Sequence, residues 1–153
     1  MLHPQNIEYA LATPQGLRFP FFAIEFNAPG GDLWVAVNQC AGASSACLNA
    51  VGQLNALLVE FGSTQRVDNI SYCIAMDNNI AHLYMSWKDD QNYYLQRVDV
   101  FALSIPEHFK NFRSQVRNIL DWGKGTRLTQ IKDALDTLLE ENRKKAADHA
   151  KNH

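Results

Sequence analysis

The chain has 153 residues, 46% of them hydrophobic and 20% charged, the size and composition of one ordinary globular domain. A formal net charge of -2 argues against a wholesale polyanion binder while leaving room for a local basic groove. Cys40, Cys47 and Cys73 sit among apolar neighbours without C-x-x-C spacing and read as reduced core thiols. No uncharged apolar stretch approaches the roughly 20 residues that span a bilayer, so a soluble chain of the cytoplasm or nucleus is expected.

Near the start, Asn6 to Leu11 is a candidate short strand and Thr13-Pro14-Gln15-Gly16 a turn. The phenylalanine-rich run Phe19 to Phe26 predicts a strand with both faces largely covered, with Pro20 near its start where a missing donor is tolerated. Pro29-Gly30-Gly31 turns the chain, and Asp32 is a good N-cap for a helix from Leu33 to about Phe61. Ala36, Cys40, Cys47, Val51, Leu54, Leu58 and Phe61 give that helix one buried stripe, while Gly42 marks a point where it could break.

Three alternating segments follow, Asn69 to Met76, Ile80 to Trp87 and Tyr93 to Leu103, separated by turn residues as in an antiparallel meander. Pro106 starts a helix over Glu107 to Asp121, with Phe109, Phe112, Val116 and Ile119/Leu120 on one face, and Gly123 is expected to end it. From Thr126 a further helix aligns Leu128, Ile131, Leu135, Leu138 and Leu139, a stripe that packs on the sheet or forms a homodimer seam. Residues 143–153 lose every large apolar side chain and read as a frayed, charged tail on a single domain over residues 1–142. The expected fold is α/β (α+β): a mixed sheet with an antiparallel meander, flanked by helices.

Glu25 is the one acid in an otherwise apolar strand, and burying an ionised carboxylate is costly without a compensating partner. It points with Asn27, two residues on, and the Phe26 carbonyl lies between them. With one further acid this oxygen set would suit magnesium, which would polarise a phosphodiester and lower the pKa of an attacking water. The alternative is an acid at an exposed strand end paired with Arg18 or Lys88, with Asn27 a turn residue and Gln39 bridging local backbone groups.

The segments TPQGLRFPFFAIEFN, DLWVAVNQCAGASSACLNAVGQLN, NISYCIAMDNNIAHLYMSWKDD and FRSQVRNILDWGKGTRLTQIKDALDTLLEE resemble a large, mostly uncharacterised fungal domain family, thought to be related to the PD-(D/E)XK nuclease superfamily. The resemblance covers Thr13 to Glu141 and implies a restriction-endonuclease-like core. In that superfamily a first acid on one strand and a Glu-x-Lys on the next hold metal and water, and a following helix often adds a glutamine. By resemblance Glu25 matches the metal-binding glutamate, Asn27 stands where lysine is expected, and Gln39 matches the helix residue. Asparagine lacks the charge and titratable amine of lysine, and Glu8 is the only acid before Glu25. The resemblance therefore implies a nuclease-like nucleic-acid-binding domain, impaired or inactive in hydrolysis and magnesium-dependent if active. The rival reading is a non-catalytic protein-interaction module on the same scaffold.

A second constellation is basic. Lys110, Arg113, Arg117, Lys124 and Arg127 are interleaved with Phe109, Phe112 and Trp122, and at spacings of three and four Lys110, Arg113 and Arg117 share a helix face that could neutralise successive DNA or RNA phosphates. The alternative is a solvated face whose charges pair with Glu107 and Asp121. Trp34 and Trp87 read as packing residues.

Overall fold

The alternating segments form strands β1 (Phe22–Phe26), β2 (Ile70–Met76), β3 (Ile80–Asp89) and β4 (Asn92–Ala102) in the computed structural model, which describes residues 18–28 and 31–151. The expected strand over Asn6 to Leu11, the turn at Thr13 to Gly16 and Glu8 lie outside the described residues, as do Pro29 and Gly30. The sheet order is β1-β2-β3-β4, with β1 parallel to β2 and the other pairs antiparallel, so the sheet is mixed and the meander is present. Parallel neighbours need a crossover rather than a tight turn, and helix α1 (Leu33–Glu60) supplies much of it.

Small side chains bring α1 close to one face of the sheet. Its Ala36 and Cys40 pack with Cys73, Ala75 and Tyr84, all buried. Asp32 caps the helix by accepting from the Trp34 backbone N–H at 2.9 Å, and α1 runs through Gly42 without a break. Helix α2 (Pro106–Trp122) covers the opposite face, setting Phe112, Val116 and Ile119 against Ile74, Leu83 and Phe101. Residues of β2 are thus buried on both sides, from Cys73 and Ala75 on one face to Ile74 on the other.

One strand expectation changes. Among the described residues β1 is an edge strand rather than one covered on both faces, and its Ile24 and Phe26 are 52% and 56% exposed. β4 forms the other edge, with a register shift that leaves Val98 without a partner on β3. A bulge of this kind blunts an edge against pairing with another chain, and Asp99 adds to it by accepting the Val100 backbone N–H at 2.8 Å.

Gly123 does not end the helix. α2 continues through a π-helical turn (Gly123–Arg127) into α3 (Leu128–Lys151). The glycine is required for approach rather than for termination, since a Cβ built there would lie 2.0 Å from Cζ of Phe21. In α3 the buried stripe is Ile131, Ala134 and Leu138, packed on Val51, Leu54 and Leu58 of α1, whereas Leu128 and Leu135 remain exposed. The expected frayed tail is helical through Lys151: its alanines and lysines are good helix formers, and Lys145 Nζ sits 3.8 Å from the ring centroid of Phe61.

In the loop after α1, Val67 is held by the side chain of Asn55. Asn55 donates from Nδ2 to the Val67 carbonyl at 2.9 Å and accepts the Val67 N–H on Oδ1 at 2.8 Å, satisfying both backbone groups of a buried residue. Asn55→Ala orphans both, and is expected to cost about 2 kcal/mol, read as a lower urea midpoint at an unchanged denaturant slope.

Candidate functional site

Parallel pairing sets Glu25 opposite Ala75, on the face of β1 that looks toward α1. It is half-buried, and its nearest ionisable company is the thiol pair of Cys40 and Cys73. The adjacent Cys73 sulfur, then burial, then the charge of Glu25 hold the Cys40 thiol far above the usual thiol range. The same contact, with Cys40 as donor, draws Cys73 down against the opposing effect of burial. Ser44 lies beside this pair and favours the lowered Cys73 value, its buried hydroxyl having no other hydrogen-bond partner among the described residues. Burial, against the opposing charge of Arg127, pushes Cys47 up to about 11. All three are free thiols, shielded from solvent and held protonated or paired, so they behave as core groups rather than nucleophiles.

Asn27 points into a closed turn. Its backbone N–H donates to the Met76 carbonyl at 2.8 Å, and its amide packs so tightly under Gly31 that a Cβ there would meet Oδ1 at 2.5 Å. Asn27 Nδ2 is buried with no hydrogen-bond partner among the described residues, so it is sealed from solvent. Gln39 is exposed on α1. Glu25 makes no ion pair among the described residues; Lys88, a candidate partner, instead stands 5.0 Å from the Tyr93 ring centroid.

Magnesium requires several hard oxygen ligands, at least one or two of them carboxylates. Among the described residues no cluster of three or more His, Cys, Asp or Glu side chains could hold a metal, and the groups around Glu25 are two thiols and a sealed amide. That donor set does not fit magnesium.

The basic constellation divides. Lys110, Arg113 and Arg117 are exposed on α2 and form no ion pair among the described residues. Of the two acids expected to neutralise this face, Glu107 pairs with none of the three, and Asp121 pairs with Lys124 at 2.8 Å in an exposed bridge of little energetic weight. A groove of about 470 Å³ runs along the helix, lined by Phe112, Arg113, Val116, Arg117, Leu120, Asp121 and Lys124.

Arg127 does not belong to this surface. It is 1% exposed, and its guanidinium donates to the carbonyls of Asp68, Ile70 and Pro20 at 3.3, 3.4 and 3.3 Å. The rings of Phe21 and Trp122 each lie 5.6 Å from its central carbon, and burial lowers its pKa below the ordinary guanidinium value. It ties the starts of β1 and β2 to the helix that passes them. The signal was present in the spacing, since Arg127 precedes Ile131, Ala134 and Leu138 by four, seven and eleven residues and so falls on their stripe. Trp87 stacks on Tyr94 at 5.3 Å as a packing residue, whereas Trp34 is exposed at the start of α1.

A family model described as a domain of unknown function, DUF7924, matches residues 2–135. Neither the curated proteins nor the solved structures hold a match to the chain.

Proposed function

We propose that this chain, which belongs to the DUF7924 family, binds nucleic acid without hydrolysing it, through the exposed face of α2. The observation that carries the reading is the set of three cations, Lys110, Arg113 and Arg117, projecting from one helix face with no carboxylate partner among the described residues. Such a row neutralises phosphates and releases their counterions, and it does so on a chain whose overall charge is slightly negative.

The strand–helix unit that carries Glu25, Asn27 and Gln39 supports descent from a PD-(D/E)XK-like nuclease scaffold, because β1, α1 and β2 keep the order of strand, helix and strand. Its chemistry argues against surviving hydrolysis. Glu25 neighbours thiols, and Asn27 replaces a lysine while its amide is turned into the protein. Binding is accordingly metal-independent, and chelation leaves affinity unchanged.

Measured by anisotropy against labelled DNA and RNA, Arg113→Ala with Arg117→Ala should weaken binding and flatten its dependence on salt. Three contacts to a single strand give a slope of log K on log salt near about −2, and removing two leaves about −0.7. An unchanged slope would sink the reading. One observation favours the rival interaction module: an apolar groove of about 560 Å³ between α1 and α3, lined by Phe19, Leu57, Ile131 and Leu135 among others.

A further inference from the structure

We infer that the α2 face takes single-stranded rather than duplex nucleic acid, an inference that rests on the nucleic-acid reading above. Phe109 begins the stripe that Arg113 and Arg117 continue at helical spacing, and 45% of its surface is exposed to water. It lines a groove of about 280 Å³ together with Lys110, Arg113, Ser114 and Arg117. The cations alone would serve a duplex, whose bases are already stacked on one another and offer a side chain no free face. An aromatic ring set among phosphate-binding cations has a use when the bases are free: one base stacks on the ring while the neighbouring phosphates meet the arginines. The Ser114 hydroxyl supplies a further polar contact for phosphate or sugar. Nothing in this arrangement reads a base edge, so the expected binding is tolerant of sequence.

The test is a titration of the full chain against fluorescently labelled oligothymidylate and against a mixed-sequence duplex of equal length. Parent, Phe109→Ala, Phe109→Trp and the Arg113→Ala/Arg117→Ala double variant are compared. The single strand should bind more tightly than the duplex, and Phe109→Ala should weaken it about tenfold while leaving duplex affinity and the salt slope in place. Phe109→Trp should restore the affinity, which a merely structural role for the ring would not require. Equal affinity for both substrates, unmoved by Phe109→Ala, overturns the single-strand inference while a salt slope that depends on the arginines still supports the broader reading. If the double variant changes neither substrate, both fall. Anionic phospholipid vesicles serve as a further arm: Phe109-dependent binding to them, with no preference for single strands, would assign the face to a membrane surface and overturn the inference.

Discussion

Arg127→Ala is expected to lower the free energy of unfolding by about 4 kcal/mol, the largest loss from any one side chain described here. Three backbone carbonyls, those of Pro20, Asp68 and Ile70, lose their donor together, and the space between the Phe21 and Trp122 rings is emptied. The carbonyls belong to the approaches of β1 and β2, so the damage spreads to the parallel pair that holds Glu25. Arg127→Met separates the two contributions. It refills most of the volume without the hydrogen bonds, and should cost about half as much. Urea unfolding followed by tryptophan fluorescence reads both, because Trp122 lies against the site; a loss below about 1 kcal/mol for the alanine variant would show that the guanidinium is idle.

Gly123→Ala is the second large effect, and its sign runs against helix propensity. An alanine in a helix interior is ordinarily better than glycine by about 1 kcal/mol. Here its Cβ would fall 2.0 to 2.7 Å from three atoms of the Phe21 ring, which is set edge-on to Trp122 at 5.8 Å and faces Arg127. A ring held in this way cannot move aside at small cost, and a net loss of about 2 kcal/mol is expected. Two residues on, Gly125 has nothing within 4 Å of the same added atom, so Gly125→Ala should gain up to about 1 kcal/mol. Opposite signs at the two glycines are the expected result. Pairing Gly123→Ala with Phe21→Leu should recover at least about 1 kcal/mol relative to the sum of the single changes. Strict additivity would show that the contact is not the cause.

The meander was legible in the sequence because residues such as Ile70, Tyr72, Ile74 and Met76 alternate at the period of a strand and turn residues stand between the segments. Helix α1 was legible from Asp32 and its apolar spacing. What escaped depends on long-range contact. Gly123 reads locally as a helix stop, and its role is reversed by one ring, Phe21, about a hundred positions earlier in the chain; Arg127 reads as a surface cation by composition although its spacing already sets it on the buried stripe. The exposed edge of β1 was hidden for a related reason, because phenylalanine composition reports apolarity and not which neighbour is there to cover it. At the site, spacing placed Glu25 and Asn27 on one side of a strand. It could not show that the helix above brings thiols, or that the asparagine amide closes under Gly31.

The π turn also sets a phase. The Leu128 N–H reaches back to the Gly123 carbonyl, five residues earlier, so the turn holds one residue more than an α-helix would at that point. Each residue rotates a helix by about 100°. Deleting one residue between Gly123 and Arg127 would leave a regular helix of nearly the same length but turn everything after it by about that angle. Phe112, Val116 and Ile119 would still face the sheet, while Ile131, Ala134 and Leu138 would swing away from α1. The single surplus residue thus works as a keyway: it lets one uninterrupted rod present its first half to the sheet and its second half to another helix.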